Sequence, residues 1–258
     1  MLDLVPPDER VALVTGASRG IGLAIARTFA RSGLRVALNA RSEQDLQRAC
    51  EELAPHAEVM GVPGDVSDPA STAAILAAVR SRLGPVQVLV NNAGSAPTAR
   101  FEKTDDEMLR DALALHVCAP FRILRQAIVE MGPGSCAVQM ASTAGLRGFA
   151  FTTAYTAAKH AMVGMCRALA TEFGAAPPRI YALCPGFVDT DITRQAAADI
   201  AARGGRDPEQ ALSILAAMNR IGRLHTPDEV AAATLHLVTE QPAGCVYDLD
   251  RDPPAFVE

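Results

Sequence analysis

A tyrosine and a lysine stand one helical turn apart in the segment Tyr155-Thr156-Ala157-Ala158-Lys159, so both side chains would lie on one face of a helix. An isolated tyrosine titrates near pH ~10 and is a weak base at neutral pH. An ammonium beside it favours the phenolate, and lowering the pKa by ~3 units requires about 4 kcal/mol of differential stabilisation. Tyr155 and Lys159 are therefore a candidate acid/base pair, although a half-buried tyrosine beside a surface lysine gives the same pattern.

The elements that would position this pair alternate regularly between strands and helices. Short apolar runs typical of buried strands occur at residues 10–15, 35–39, 58–62, 86–90, 136–141 and 180–184, and helical patterns separate them. This order predicts an α/β fold with a doubly wound parallel sheet and helices on both faces. No linker, repeat or low-complexity segment interrupts residues 1–258, so we expect a single domain.

The first strand leads directly into a glycine-rich turn with the spacing Gly-x-x-x-Gly-x-Gly, and a helical pattern follows it. Glycines let a backbone approach a pyrophosphate closely, and the N–H groups at the start of a helix attract it. The turn therefore predicts dinucleotide binding by Gly16, Ser18, Arg19, Gly20, Ile21 and Gly22. A turn that is rich in glycine for steric reasons alone would have the same sequence.

The residues that end the second strand bear on the type of dinucleotide. A carboxylate there would accept hydrogen bonds from a ribose 2′-hydroxyl, but this chain has Asn39-Ala40-Arg41, with Arg19 in the glycine turn. Guanidinium groups bind phosphate well. We therefore expect NADP(H) to be favoured over NAD(H), with Asn39 and Arg41 among the cofactor-binding residues; the alternative is two solvated surface arginines.

Polar or glycine-containing segments follow several other strands. They are Asp65-Val66, Asn91–Gly94, Ser142–Gly145 and Pro185–Thr190. Because ligands bind beyond the carboxyl ends of the strands in such sheets, we expect these segments to meet the glycine turn at one edge.

These motifs together, in this order, resemble the short-chain dehydrogenase/reductase family over about residues 10–250. The resemblance implies a Rossmann-type sheet of about seven parallel strands and is strongest to 3-oxoacyl thioester (carrier-protein or CoA) reductases. It implies an NADPH-dependent oxidoreductase that interconverts a ketone and a secondary alcohol. An alcohol or hydroxysteroid dehydrogenase, or a dinucleotide-binding protein with weak catalysis, are the alternatives.

The resemblance also implies roles for individual residues. Tyr155 would be the acid/base, Lys159 would hold the nicotinamide ribose and lower the tyrosine pKa, and Ser142 would bind the substrate oxygen. The glycine turn would take the pyrophosphate. The remaining implied cofactor contacts are Asp65, Val66, Asn92, Ala93, Gly94, Pro185, Gly186, Val188 and Thr190, and no metal is implied.

Two stretches depart from the family pattern. The family usually has an asparagine in the long helix, and the corresponding residue here is His116. His116 is therefore either a fourth catalytic residue, which holds a water and adds a pH dependence because imidazole titrates near ~6.5, or a packing residue. The family often ends its last strand with Asp-Gly-Gly, whereas this chain has Asp248-Leu249-Asp250, which puts the usual C-terminal contacts in question.

Residues 190–223 are the expected substrate loop. It contains a predicted helix over Asp207–Met218, and Gly204-Gly205 could act as a hinge. Arg147, Arg194 and Arg203 could bind an anionic thioester carrier or could be ordinary solvated charges. Thr104 with Glu107 and Thr226 with Glu229 each fit a helix capping box.

Composition limits the partners that we expect. The net charge of −5 and the pI of about 5.6 argue against nucleic acid as a partner, and no apolar run reaches the ~18 residues that would cross a membrane. Six scattered cysteines predict a reduced, cytoplasmic protein. The apolar helices over residues 104–131 and 155–173 predict a two-fold homo-oligomer, a dimer or tetramer.

Overall fold

The computed structural model describes residues 10–204 and 207–258, except for the side chains of residues 203 and 204. These residues form one eight-stranded sheet with the order β3-β2-β1-β4-β5-β6-β7-β8, parallel throughout except for β8. The strands are β1 (Val11–Thr15), β2 (Arg35–Ala40), β3 (Val59–Pro63), β4 (Val86–Asn91), β5 (Cys136–Met140), β6 (Arg179–Cys184), β7 (Val246–Asp248) and β8 (Ala255–Val257).

Helices cover both faces of the sheet and give it two apolar layers. The helices are α1 (Gly20–Arg31), α2 (Glu43–Leu53), α3 (Pro69–Arg82), α4 (Asp106–Leu113), α5 (Ala119–Ala127), α6 (Thr153–Phe173), α7 (Asp191–Gly204), α8 (Pro208–Met218) and α9 (Pro227–Glu240). Side chains of α1, α2 and α9 fill one layer, and those of α3, α5 and α6 fill the other. The predicted doubly wound parallel sheet is therefore confirmed.

The eighth strand is the main difference from the predicted sheet. Seven parallel strands were expected, and β8 adds an antiparallel edge in which Val246 pairs with Val257 and Asp248 with Ala255. The pairing is only three residues long and follows immediately on a turn, so it carries too little periodic pattern to be recognised as a strand.

The predicted long helix is interrupted in the middle. Between α4 and α5 the chain forms a π-helical segment, Ala114–Cys118, and His116 lies within it. The predicted capping box at Thr104 is wrong, because Asp105 is the N-cap and its side chain accepts from the backbone N–H of Met108. Thr104 instead donates its hydroxyl to the carbonyl of Arg100.

The same helical stretch, Asp106–Glu130, is apolar and long enough by composition to cross a membrane, contrary to the estimate from the sequence. A single stretch of this kind is weak evidence, since core helices of soluble proteins pass the same test. Here it packs on α3, α6 and β4, and this packing accounts for one apolar face.

The expected substrate loop folds into two helices. α8 begins after its N-cap Asp207, as predicted, and α7 and α8 bury a small apolar cluster that includes Ala197, Ala211 and Leu215. The capping box of α9 is confirmed, with Thr226 and Glu229 bonded reciprocally. Of the proposed hinge, Gly205 lies outside the described residues.

Candidate active site

The glycine turn lies where the strand order reverses between β1 and β4. Gly16 and Gly20 have φ of +64° and +56°, a conformation that favours glycine. A Cβ at Gly22 would lie 2.2 Å from the carbonyl oxygen of Gly16, so backbone segments touch where a side chain would stand. This close approach fixes the turn as a concave backbone surface at the carboxyl ends of the strands.

The N-terminus of α1 opens into this turn without a side-chain cap. Arg19 is the N-cap residue and makes no capping hydrogen bond, whereas side chains cap the N-termini of α2, α3, α4, α8 and α9. The first N–H groups of α1 thus keep their capacity to bind an anion. A pyrophosphate fits this surface on two grounds, the backbone approach and the uncapped helix.

The other predicted strand-end segments lie against this turn. Thr15 Oγ1 accepts from the N–H groups of Asn92 and Ala93, both at 3.0 Å. The Asn92 amide donates to the carbonyls of Thr15 and Gly16. A Cβ at Gly20 would lie 3.6 Å from Thr190 Cγ2, so the predicted cofactor-binding segments do converge at one edge. The side chain of Asn92, however, holds the turn together rather than facing outward.

Asn39 and Arg41 separate in their surroundings. Asn39 is buried, and its amide donates to the carbonyls of Val62 and Gly64 at 3.0 and 3.1 Å. Its amide hydrogens are therefore engaged within the protein, and the prediction that Asn39 binds the cofactor through its side chain is wrong. Arg41 is exposed and makes no hydrogen bond or ion pair with another described residue. Arg19 forms an exposed ion pair of 3.5 Å with Asp191.

Asp65 and Val66 form the end of β3 and the start of the following loop. The hydrogen bonds from the N–H and hydroxyl of Ser67 lower the pKa of Asp65, and the Arg41 charge contributes in the same direction. Arg122 Nη2 donates to the Ser67 carbonyl at 2.7 Å. This loop is therefore rigid beside the turn, with an acceptor carboxylate at its edge.

Ser142, Tyr155 and Lys159 come together as predicted. The hydroxyl groups of Ser142 and Tyr155 share a hydrogen bond, and the Ser142 oxygen accepts from the N–H of Ala144. Lys159 Nζ donates to the carbonyl of Met140 at 2.6 Å and lies 5.5 Å from the centroid of the Tyr155 ring. The end of β5 and the first turn of α6 thus place a hydroxyl pair beside a buried ammonium.

The expected lowering of the tyrosine pKa is wrong for this structure. Burial raises the pKa of Tyr155 to about 12, although the bond with Ser142 acts in the opposite direction. Burial also lowers the pKa of Lys159 to about 8. The ammonium is bonded to Met140 and lies over the ring, and its attraction does not offset the desolvation of a phenolate. Tyr155 is therefore protonated at neutral pH, the state that a proton donor requires.

His116 lies beside Tyr155. Its Nε2 is 2.8 Å from the carbonyl oxygen of Ser95, and its ring meets the Tyr155 ring edge-on with centroids 5.3 Å apart. Burial, followed by the charge of Lys159, lowers the pKa of His116 to about 3. The ring is neutral at physiological pH, so the pH dependence expected from an imidazole titrating near ~6.5 is not supported.

The sequence analysis missed a set of residues that hold the Pro185–Thr190 segment. Asn219 accepts from the N–H of Phe187 at 2.7 Å and donates to the Phe187 carbonyl at 2.8 Å. Gly186 has no room for a side chain, since a Cβ there would lie 2.3 Å from Asn219 Oδ1. Asp250 accepts two hydrogen bonds of 3.1 Å from the Arg220 N–H and one of 3.2 Å from His225. No motif marks these residues, because their contacts join distant parts of the chain.

The predicted cationic rim is largely occupied by internal contacts. Arg147 donates to the Met218 carbonyl, lies over the Phe149 ring at 4.9 Å and is 3.8 Å from Asp250. Arg194 pairs with Asp189 at 2.6 Å. The side chain of Arg203 lies outside the described residues. Phe149 packs edge-on against Phe187 at 5.7 Å, so this side of the site is more aromatic than cationic.

Comparison with known families identifies the architecture. The model of the short chain dehydrogenase family matches residues 10–201. The chain belongs to the short-chain dehydrogenase family. It is accordingly an oxidoreductase of the short-chain dehydrogenase/reductase type, in which the predicted tyrosine, lysine and serine are brought together at the carboxyl edge of the sheet.

Individual relatives and solved structures agree with this assignment. A putative ketoacyl reductase of Streptomyces coelicolor is 36% identical over 237 residues, covering 90% of each chain. A single-residue variant of actinorhodin polyketide ketoreductase, solved with NADPH, superposes with a TM-score of 0.84 at 35% identity, covering 91% of this chain and 92% of the other. L-sorbose reductase from Gluconobacter frateurii, complexed with NADPH and L-sorbose, has a TM-score of 0.85 at 30% identity, covering 93% and 94%. The predicted resemblance to ketoacyl reductases is therefore confirmed.

Proposed function

We propose that this protein reduces a ketone, a 3-oxoacyl thioester or a similar compound, to a secondary alcohol with NADPH. The observation that carries the proposal is the hydrogen-bonded pair of Ser142 and Tyr155 beside the buried ammonium of Lys159. It lies at the same edge as the uncapped N-terminus of α1. When bound there, NADPH supplies the hydride, so the protein has to supply a proton and orientation.

Each of the three side chains then has one task. The Tyr155 hydroxyl, protonated at neutral pH, donates its proton to the carbonyl oxygen of the substrate. The Ser142 hydroxyl donates a hydrogen bond to the same oxygen and stabilises the charge that develops there. The Lys159 ammonium is within range to stabilise the phenolate that remains. A protonated tyrosine favours the reductive direction, since oxidation of an alcohol would begin from the phenolate.

The choice of NADP(H) over NAD(H) rests on the cations near the end of β2. Arg41 is exposed and uncommitted among the described residues, and Arg19 has one exposed ion pair that a phosphate can replace. The buried Asn39 brings no carboxylate to repel a 2′-phosphate. Solved relatives with NADPH support the same choice.

The substrate side supports an apolar ketone. Phe149 and Phe187 form an aromatic pair next to Arg147, and Ile214 and Met218 of α8 are exposed by 42% and 38%. Exposed apolar side chains of this kind suit an acyl or polycyclic chain better than a sugar. The ketoacyl and polyketide reductases among the relatives point to the same class.

The assay that tests the proposal follows NADPH absorbance with a panel of ketones: a 3-oxoacyl thioester, a cyclic ketone, a 3-oxosteroid and a sugar ketone. Tyr155→Phe removes the proton donor but keeps the ring, so activity is expected to fall by ~10²-fold or more while NADPH binding persists. Tyr247→Phe, which removes a hydroxyl from β7, is the matched control. Unchanged turnover in Tyr155→Phe would sink the assignment. NADPH binding without turnover of any ketone would favour a dinucleotide-binding protein instead.

We further propose a homo-oligomer with two-fold symmetry, a dimer or tetramer, in which one domain per subunit contains residues 1–258. The surface from the start of α4 to the end of α5 exposes Phe101, Phe121 and Val129 by 75%, 47% and 80%, and large apolar side chains gathered on one side suit a protein interface. Light scattering at micromolar concentration is expected to give a multiple of the chain mass, and Phe121→Glu to lower it. A monomeric parent protein would contradict this. Six free cysteines suit a cytoplasmic location.

A further inference from the structure

His116 occupies an unusual backbone setting next to the candidate acid. It lies in the π-helical segment Ala114–Cys118, and π-helical turns are often found at functional sites. Its side chain is buried, with 2% of the residue exposed. A Cβ at Gly94 would come within 2.8 Å of His116 Cε1, so the absence of a side chain at Gly94 makes room for the ring.

The surroundings determine which ring nitrogen carries the proton. Nε2 is 2.8 Å from the Ser95 carbonyl, which can only accept a hydrogen bond, so Nε2 is the donor. A neutral imidazole has one N–H, and the low pKa of His116 keeps the ring neutral at physiological pH. Nδ1 therefore carries a lone pair. It is buried and has no hydrogen-bond partner among the described residues.

Lys159 has donor capacity close to this lone pair. It is near enough for its charge to lower the pKa of His116. Its ammonium has three N–H donors, one of which goes to the Met140 carbonyl. An internal water needs two to four polar partners. Nδ1 of His116 as an acceptor, together with an N–H of Lys159 as a donor, meets that requirement.

We propose that His116 is a positioning residue that binds a water molecule through Nδ1 beside Lys159, while its Nε2–H anchors the ring to Ser95 and its edge supports the Tyr155 ring. The proposal rests on the reductase function above and deepens it. All the hydrogen bonds run in one direction: Lys159 donates to the water, the water donates to Nδ1, and Nε2 donates to Ser95. His116 does not carry a proton, because its neutral ring has no affinity for one at working pH. It fixes the solvent that touches Lys159.

Three substitutions separate the possible roles of the ring. His116→Asn places an amide oxygen near the position of Nδ1 but does not reach Ser95. His116→Gln can reach the Ser95 carbonyl with an N–H but has no acceptor at the Nδ1 position. His116→Phe keeps a ring against Tyr155 and has neither polar atom. His160→Phe, one residue after Lys159 on the exposed side of α6, is the control.

We expect His116→Phe and His116→Gln to lose about tenfold in kcat with a similar KM, less than the loss of the acid itself, and His116→Asn to recover most of it. The pH–rate profile of the parent should lack an ionisation that His116→Asn removes. Wild-type kcat in His116→Phe would reduce the ring to packing, and rescue by Gln but not by Asn would assign the effect to Ser95. Either result overturns the proposal.

A spectroscopic measurement decides the matter even if a variant fails to fold. In the parent protein labelled with nitrogen-15 at histidine, NMR is expected to show His116 protonated at Nε2 and unprotonated at Nδ1, from mildly acidic to alkaline pH. The opposite tautomer, or a ring that becomes charged near neutral pH, would overturn the proposal. If the parent reduces no ketone, the proposed function fails, and the tautomer still reports separately on His116.

Discussion

The two halves of the sheet hold their ligand-binding edges in different ways. In the half around β1 and β4, backbone groups and a single hydroxyl do the work: Thr15 Oγ1 bridges the N–H groups of Asn92 and Ala93, and Gly16 and Gly22 nearly touch. In the half around β6 and β7, long-range side-chain bonds do it. The first arrangement is compatible with few residue types and leaves a motif, whereas the second can be built in many ways and leaves none.

Asp250 and Asn219 are the centre of the second arrangement. Asp250 is fully buried, and it joins the end of β7 to Arg220, His225 and Arg147. Asn219 joins the Pro185–Thr190 segment to the end of α8. The departure from Asp-Gly-Gly at the C-terminal end therefore replaces a flexible dipeptide with a buried acceptor, to which the end of the substrate loop is bonded.

The largest effect is expected from a break in the glycine half. Gly22→Ala would place a methyl group 2.2 Å from the Gly16 carbonyl, so the turn has to shift. We expect a loss of about 3 kcal/mol in the free energy of unfolding, the upper part of the range for overpacking. NADPH affinity is expected to fall with it, since the turn is the pyrophosphate surface. Thermal unfolding and cofactor titration measure the two effects.

Gly132→Ala is the control for this substitution, because a Cβ at Gly132 meets nothing within 4 Å. Its stability and NADPH affinity are expected to match those of the parent. If Gly22→Ala binds NADPH as tightly as Gly132→Ala does, the close contact in the turn does not shape the cofactor site, and the contrast between the two halves is lost.

A smaller effect is expected when the second half is broken. Asp250→Asn keeps the shape of the side chain but weakens bonds to Arg147, Arg220 and His225, at a cost of about 2 kcal/mol, in the range for hydrogen bonds to charged groups. The melting temperature is then expected to fall by roughly 4–8 °C for a chain of this size. KM for the ketone should rise because the substrate loop loses an anchor, whereas NADPH affinity should stay close to that of the parent.

Asp252→Asn removes a nearby exposed carboxyl group and serves as the control. The comparison depends on which property changes: a fall in NADPH affinity as large as the rise in KM for Asp250→Asn would mean that the two halves are not separately held. An unchanged melting temperature would mean that the buried bonds of Asp250 contribute no net stability.

The same contrast explains what the sequence could predict. The strands, the glycine turn and the meeting of Ser142, Tyr155 and Lys159 follow from local patterns and from the rule that ligands bind at carboxyl strand ends. The π-helical turn at His116 and the role of Asp250 do not, because each depends on residues far away in the chain. Burial misled the analysis at Asn39 and in the pKa of Tyr155, since a residue's type and spacing do not reveal what will surround it.

The smallest effect is expected at the outer rim of the cofactor half, where Arg41 is exposed. Arg41→Ala removes a cation that would bind the 2′-phosphate, and we expect NADPH affinity to fall by about 1.5 kcal/mol, the low end for a hydrogen bond to a charged group. NADH affinity should change little. Added salt should weaken NADPH binding more in the parent than in the variant, because an exposed charge is screened. Arg31→Ala, at the exposed end of α1, is the matched control. Equal affinities of the parent for NADPH and NADH would refute the proposed preference, and equal losses for both cofactors in Arg41→Ala would move the contact of Arg41 from the 2′-phosphate to a group that the two cofactors share.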